Sequence, residues 1–111
     1  MAEQSGSFRD RRHPERYPME RQVRYQVLGK RGIEETGEGK TVNLSSRGVL
    51  FTCRHELQRG RRVELYISWP ALLNDECALK LVVRGRVVRS EEGRAAIEIQ
   101  QHEFRTQSAN P

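Results

Sequence analysis

The chain has 111 residues, which is enough for one domain with a single core. Hydrophobic residues make up 35% of the chain and charged residues 32%, so a core can form only where apolar side chains recur at regular positions. No apolar run reaches the length of a membrane span, and the first residues lack the apolar stretch of a signal peptide. We therefore expect a cytoplasmic protein that does not insert into membranes.

The formal net charge of +5 is concentrated near the N-terminus, where residues 1–31 carry eight basic and four acidic side chains. The remainder of the chain is close to balance. All but three of the 20 basic residues are arginine, whose planar guanidinium makes paired hydrogen bonds to a phosphate or a guanine edge. This bias favours an anionic ligand, although a GC-rich genome would produce the same composition.

Alternation of apolar and polar residues predicts six β-strands. In chain order they cover residues 22–27, 40–44, 49–53, 60–69, 78–90 and 94–101. The glycine-rich, charged segment 29–39 is predicted to be a loop, and Pro70 is predicted to end the fourth strand. Gly85 interrupts the fifth strand, where we expect a bend or bulge, and the turn "SEEG" joins it to the sixth strand.

Short alternating strands with tight turns predict an all-β fold, either an antiparallel barrel or a sandwich, because both bury one face of every strand. Helical periodicity is absent from most of the chain. The exceptions are the region 71–73 and the end of the chain beyond His102, so the sequence allows a short helix near the C-terminus.

The domain is expected to cover residues 9–104. It includes an arginine-rich leader, residues 9–20, which precedes the first strand and is expected to be flexible. The polar ends 1–8 and 105–111 lack apolar periodicity and are expected to be disordered tails.

Residues that could support catalysis or metal binding do not form a recognisable set. His13, His55 and His102 lie in three separate segments without a partner at metal or triad spacing. Cys53 and Cys77 form neither a disulfide framework nor a zinc motif, and they are expected to be reduced. With no nucleophile or phosphate-binding signature either, we predict no enzyme, no metal and no cofactor.

The leader contains the sequence "DRRHPER", in which Arg12 and Arg16 form an RxxxR pair and Arg11 adds a third guanidinium. Such a group can bind two phosphate oxygens or the O6 and N7 edge of a guanine. A solvated leader that merely attracts anions would have the same sequence, so both interpretations remain open here.

A second motif, "NLSSRG", lies at the end of the second predicted strand. Asn43 and Ser45 are spaced by two, so their side chains are predicted to lie on one face, where they could contact a nucleobase or a sugar hydroxyl. Gly48 permits a positive φ angle. The alternative is a well-made turn that needs no ligand.

Taken together, the two motifs resemble those of the PilZ domain family, a family of six-stranded antiparallel β-barrels. The resemblance rests on "RHPER" just before the first strand and on "NLSSRG" between the second and third strands. It covers roughly residues 9–100, and the segment "GRVVRSEEGRAAIEI" also resembles sequences of this family.

The resemblance implies a binding module for cyclic di-GMP, a bacterial second messenger. Arg12 and Arg16 would clasp phosphate and guanine from the leader. Asn43 and Ser45 would meet the ligand from the barrel surface, and Gly48 would keep the turn open. The leader would fold over the ligand, so that binding orders it.

Three details of the sequence refine this resemblance. An arginine in the place of Arg11 accompanies two stacked ligand molecules in this family, so we expect two molecules of cyclic di-GMP per chain. Arg47 stands where many members have a glycine, and it could add a contact or crowd the site. In the last strand, Ala96 and Ile99 replace a glycine-containing pattern that ends in phenylalanine.

Two alternatives remain, both of them small β-barrels that bind no cyclic nucleotide. Nucleic-acid binding would suit the basic leader, but the rest of the chain is nearly neutral and only 6% of its residues are aromatic. Protein binding would suit the segment with Trp69, Leu72 and Leu73, whose alternative role is to close one end of the barrel. A receptor made of one small domain also needs an effector protein, which the sequence does not identify.

Overall fold

The computed structural model describes residues 17–18, 20–73 and 77–106, with side chains at residues 20–69 and 77–106. All its regular structure is β-strand. The strands are β1 (Tyr17–Pro18), β2 (Gln22–Gly29), β3 (Gly32–Leu44), β4 (Gly48–Thr52), β5 (Arg62–Leu73), β6 (Cys77–Glu91) and β7 (Arg94–Thr106).

Six of these strands form a closed antiparallel barrel. The order around the sheet is β3-β2-β5-β6-β7-β4, and pairing of β4 with β3 closes the ring. The two-residue strand β1 pairs with the end of β3, on the same side as β2. The predicted all-β fold and the barrel implied by the family resemblance are therefore confirmed.

The core comes from the alternating positions that the sequence analysis identified. Val23, Tyr25 and Val27 of β2 are buried, and their neighbours on β5 that face inward are buried with them. The rings of Tyr25 and Phe51 pack against each other with their centroids 5.7 Å apart. This alternation fixes which face of each strand lies inside the barrel.

The predicted loop at residues 29–39 is wrong for most of its length, because β3 begins at Gly32 and forms a tight hairpin with β2. Its glycines belong to a strand. A Cβ atom on Gly37 would lie 2.2 Å from the Tyr25 hydroxyl, and one on Gly39 would lie 1.9 Å from the Thr52 carbonyl oxygen. Close contacts require glycine here, whereas the composition alone is typical of a loop.

The predicted end of the fourth strand at Pro70 is also wrong, since β5 continues to Leu73. Pairing of β5 with β2 stops at Ile67, so Pro70 lies where one edge of β5 has no neighbouring strand among the described residues. The register with β6 shifts between Trp69 and Leu72. A proline is tolerated at a strand edge with a bulge because its missing N–H breaks no ladder hydrogen bond there.

The hairpin of β6 and β7 confirms the expected turn and the irregularity at Gly85, where the register shifts. Glu92 and Gly93 form the turn with φ angles of 50° and 78°.

The prediction of a short helix near the C-terminus is wrong within the described residues. Residues 71–73 belong to β5, and residues 102–106 continue β7 opposite β6. Pairing with a neighbouring strand decides the conformation of these polar residues. β7 reaches Thr106, and residues 1–16 and 107–111 lie outside the described part of the chain.

Candidate functional site

The link between β3 and β4 is a tight turn, residues 45–48, which we call the Ser45 turn. The backbone N–H of Ser45 donates to the Gly48 carbonyl at 2.9 Å. The Ser45 hydroxyl oxygen accepts hydrogen bonds from the backbone N–H groups of Arg47 and Gly48, each at 3.2 Å. The hydroxyl therefore stabilises the turn, which was one of the two predicted roles of this residue.

Gly48 is required by a close approach of two strands. A Cβ atom there would lie 2.8 Å from the Ile97 carbonyl oxygen of β7. The glycines with positive φ in the described part of the chain are Gly32, Gly60 and Gly93, so the positive φ angle allowed for Gly48 is not used. Gly48 lets the Ser45 turn lie tightly against β7.

Two side chains near the Ser45 turn are available for a ligand. Arg47 is exposed at the tip, where its backbone carbonyl accepts a hydrogen bond from Ile99 N–H at 2.8 Å. Asn43 is half-buried near the end of β3, between Pro18 on one side and Leu50 on the other. Neither side chain has a hydrogen bond or ion pair with another residue of the described part of the chain.

The end of the leader lies beside this turn. In β1, Tyr17 pairs with Leu44 and Pro18 pairs with Asn43. Arg16 directly precedes Tyr17 in the sequence. The three predicted leader residues, Arg11, Arg12 and Arg16, lie outside the described residues, whereas Asn43, Ser45 and Gly48 are brought together at one end of the barrel.

Sequence reasoning missed the role of Arg21, which follows the leader. Its side chain donates from Nε to the Ser68 carbonyl at 3.0 Å and from an Nη atom to the Ser68 hydroxyl at 3.3 Å. Its backbone N–H donates to the hydroxyl of buried Thr41 at 2.8 Å. These bonds anchor the chain to β3 and β5 where the leader ends, and no local sequence signal identifies such long-range partners.

A second polar cluster that sequence reasoning missed lies on the outer face of the barrel. The carboxylate of Glu64, which is only 8% exposed, accepts hydrogen bonds from the Tyr66 hydroxyl at 2.6 Å and from Arg84 Nε at 2.5 Å. Burial acts to raise the Glu64 pKa, but the hydrogen bonds from Tyr66 and Arg84 and the charge of Arg84 outweigh it and leave the pKa lowered. Burial, followed by the hydrogen bond to Glu64, raises the pKa of Tyr66.

The other titratable groups of the described residues include two thiols and a surface histidine. Burial raises the pKa of the Cys53 thiol and disfavours the reactive thiolate, while Cys77 is exposed. His55 contacts the carboxylate of Glu35 at 3.2 Å on the surface. Among residues 17–18, 20–73 and 77–106, no three histidine, cysteine or acidic side chains are grouped as a metal site requires.

Two grooves are found on the described surface. One, of about 460 Å³, lies beside Arg84 and Glu103 on the outer face of β6 and β7. Another, of about 370 Å³, lies beside Arg24 and His55. Neither groove is lined by a residue of the Ser45 turn.

Comparison with known proteins identifies the family. The model of the PilZ domain matches residues 10–109, nearly the whole chain. The chain belongs to the PilZ domain family. PilZ domains are binding and adaptor modules, and the family is known for receptors of cyclic di-GMP.

A solved structure supports the fold of this PilZ domain. The crystal structure of the PilZ domain of CeSA from a cellulose-synthesising bacterium is similar, with a TM-score of 0.56 and 21% sequence identity. The similarity covers 78% of this chain and 81% of the other. The comparison with curated proteins gave no significant match.

Two further sequence predictions concern membrane insertion and the segment around Trp69. No helix that could cross a membrane occurs in the described residues of this PilZ domain. Trp69 is partly buried and packs against the core, with the ring of Phe104 edge-on at 5.0 Å between centroids. Trp69 therefore packs against the barrel core, while the side chains of Leu72 and Leu73 lie outside the described part.

Proposed function

We propose that this PilZ domain binds cyclic di-GMP at the Ser45 turn and that its leader closes over the ligand. The proposal depends chiefly on one observation, the pairing of Tyr17 with Leu44. Because β1 and β3 are antiparallel, the residue before Tyr17 and the residue after Leu44 lie toward the same end of this strand pair. These residues are Arg16 and Ser45, so we expect the RxxxR motif to lie beside the NxSxxG motif at this strand pair.

Chain geometry also keeps Arg12 within reach of the Ser45 turn. Consecutive Cα atoms are about 3.8 Å apart, and Arg12 precedes Tyr17 by five positions, so their Cα atoms are separated by at most about 19 Å. Two guanidinium groups on one short segment suit a ligand with two phosphates and two guanine bases. Arg11 would complete the set if two stacked ligand molecules bind.

The barrel side of the proposed site offers polar groups at the Ser45 turn. The two acceptor positions of the Ser45 hydroxyl are taken by the turn, and its O–H donates a long hydrogen bond to the Gly48 carbonyl at 3.5 Å, which an acceptor on the ligand could replace. The Asn43 amide adds two donors and an acceptor. Arg47 contributes positive charge at the tip, so we propose that it assists binding.

The proposed function is that of a receptor or adaptor without catalytic activity. Cyclic di-GMP is an intracellular second messenger of bacteria, so the proposal implies a cytoplasmic location. Closing the leader over the Ser45 turn would change one end of the barrel. An effector protein that binds only the closed form would then receive the signal.

Calorimetric titration with cyclic di-GMP at about 150 mM salt, where long-range attraction is screened, tests this proposal. We expect saturable binding, with about two ligands per chain if the stacked form is correct. GMP serves as the control for a single guanine nucleotide, and a short DNA duplex serves as the control for polymer binding. Binding of the duplex with a steep loss of affinity as salt increases would instead favour nucleic acid.

Arginine variants test the location of the site. Arg12→Ala or Arg16→Ala should remove a charge-assisted contact worth about 1.5 to 3 kcal/mol and weaken binding by roughly 10-fold to 150-fold. Arg31→Ala is a matched control, because Arg31 is an exposed arginine in the turn at the opposite end of β3. Equal binding by all three variants would show that the ligand binds elsewhere.

A further inference from the structure

Beyond Ile99, one side of β7 has no neighbouring strand among the described residues. Residues Arg94 to Glu98 pair with β4, and Ile99 N–H donates to the Arg47 carbonyl at 2.8 Å. Beyond Ile99, β7 continues to Thr106 and is paired only with β6, as far as the described residues show. We call residues 100–106 on this side the free edge of β7. A strand edge with unpaired backbone groups is a template for pairing with another strand.

The register shows which backbone groups lie on this edge. Core-facing residues of β7 direct their backbone groups toward β4, as the bond from Ile99 shows. The register between β6 and β7 shifts at Gln100, and Phe104 then pairs with core-facing Leu81. Beyond the shift, core-facing residues of β7 therefore still direct their backbone groups away from β6. Side-chain face and backbone direction alternate together along a strand, so the N–H and C=O of Phe104 point to the free edge.

The side chains along the free edge are complementary to a second copy of the same strand. If two copies pair antiparallel with Phe104 opposite Phe104, then Glu103 of each copy lies opposite Arg105 of the partner subunit. The Phe104 pair is the hydrogen-bonded one, and the two Glu103–Arg105 pairs are the closer, non-hydrogen-bonded ones. Opposite charges at such positions stabilise the pairing of strands, and like charges destabilise it.

An apolar contact adds to the charge complementarity. Phe104 is 51% exposed, although its ring packs edge-on against Trp69. The pairing would place the two Phe104 rings on the same face and cover each with the other. Glu103 and Arg105 of one chain already form an ion pair on the opposite, outer face, so both side chains lie where the second copy would meet them.

We propose that the PilZ domain forms a twofold dimer in which the free edges of two β7 strands pair antiparallel about Phe104. The arrangement is isologous, since each strand offers the other the same donors, acceptors and charges. It joins two barrels into one continuous sheet. The interface is small, so the dimer is reversible and forms at about micromolar or higher concentrations. This inference does not depend on cyclic di-GMP.

Charge reversal provides a specific test by analytical ultracentrifugation of the whole chain without ligand. Wild type should shift from monomer to dimer between low micromolar and about millimolar concentrations. Glu103→Arg and Arg105→Glu should each weaken dimerisation by roughly 10-fold or more, because like charges then face each other twice. An equimolar mixture of the two variants should recover the dimer, since every facing pair is again opposite in charge.

The controls separate pairing from misfolding and from general charge effects. Glu38→Arg makes the same charge change on exposed β3 and should leave dimerisation unchanged. Circular dichroism should show the same β-barrel for every variant. A wild-type chain that stays monomeric over the whole range would overturn the proposal, as would a mixture no more dimeric than the single variants. In either case, a different segment or protein would be the occupant of the free edge.

Discussion

Ser45 shows how one side chain can serve both the fold and a ligand. Its hydroxyl oxygen accepts two backbone hydrogen bonds within the turn, which holds Arg47 and Gly48 in place. Its O–H donates only a long hydrogen bond, 3.5 Å, to the Gly48 carbonyl, which an acceptor on a ligand could replace. A Ser45→Ala change would therefore act on the turn as well as on the ligand, and the arginines of the leader are the better probes of binding. Residues with a purely structural role, such as Arg21, lie close to the same end of the barrel.

At the same scale, Glu64 predicts a specific pH dependence of stability. Its folded pKa is lowered below the ordinary value of 4.5, so its contribution is fully present above that value and is lost as pH falls through the folded pKa. Glu64→Gln removes the charge that Arg84 contacts. We expect it to lower the free energy of unfolding by about 1–2 kcal/mol at pH 7. The difference from wild type should shrink below the folded pKa.

Urea unfolding at several pH values measures this effect. Glu38→Gln, a change at an exposed carboxylate, is the control and should leave stability nearly unchanged. A Glu64→Gln deficit that stays the same at every pH would mean that packing, and not the ionised carboxylate, accounts for the loss.

Among the elements, β3 has the least typical sequence for a strand. It is glycine-rich and charged, yet it pairs with β2 along its length and with β1 and β4 at its end. Its glycines accept close neighbours: Tyr25 lies over Gly37, and the Thr52 carbonyl lies against Gly39. β3 also connects the two motifs, because its last residues pair with β1 and lead into the Ser45 turn.

Gly39→Ala tests the claim that these glycines are structural. The added Cβ would lie 1.9 Å from a backbone oxygen, so β4 would have to move. We expect a loss of about 1–3 kcal/mol or more in the free energy of unfolding, as for other overpacked sites. Thr36→Ala, at an exposed position of β3, is the matched control and should cost well under that amount. Equal stability of the two variants would show that β3 does not approach β4 so closely.

At the scale of the whole molecule, the closed barrel carries the two proposed binding surfaces. One is the end that carries the Ser45 turn, where the leader meets β3. The other is the free edge of β7, which lies beyond the region paired with β4. Arg47 and Ile99 join the two places through one backbone hydrogen bond. The same closed sheet thus presents a proposed ligand site and a proposed dimer edge side by side.

Ligand binding should be visible in the behaviour of the whole domain. Cyclic di-GMP at a hundredfold excess over its Kd should stabilise the folded state by about 2.7 kcal/mol, which corresponds to a rise in Tm on the order of 10 °C. If the leader closes over the ligand, trypsin cleavage after Arg12 and Arg16 should slow in its presence. Cleavage after Arg31, in the opposite turn, should not change. Thermal stabilisation without protection of the leader would separate binding from closure.

Apolar periodicity and two short motifs were enough to predict the class of fold and the family. Alternating apolar residues such as Val23, Tyr25 and Val27 require strands with one buried face, and enough such strands favour a closed sheet. The order and spacing of "RHPER" and "NLSSRG" indicated the PilZ domain family. These signals are local, because each depends on residues that are near one another in the chain.

Which glycines and prolines belong to strands, and which polar residues contact one another, became known from the folded barrel. Glycine is needed at position 39 because the Thr52 carbonyl lies against it, and Pro70 is tolerated in β5 because β2 stops pairing with β5 before that position. The Glu64 carboxylate contacts Arg84 because β5 and β6 pair in one particular register. Tyr17 pairs with Leu44 across a similar distance in the sequence. Each is a contact between residues far apart in sequence, and composition and periodicity carry no information about such contacts until the register of the strands is known.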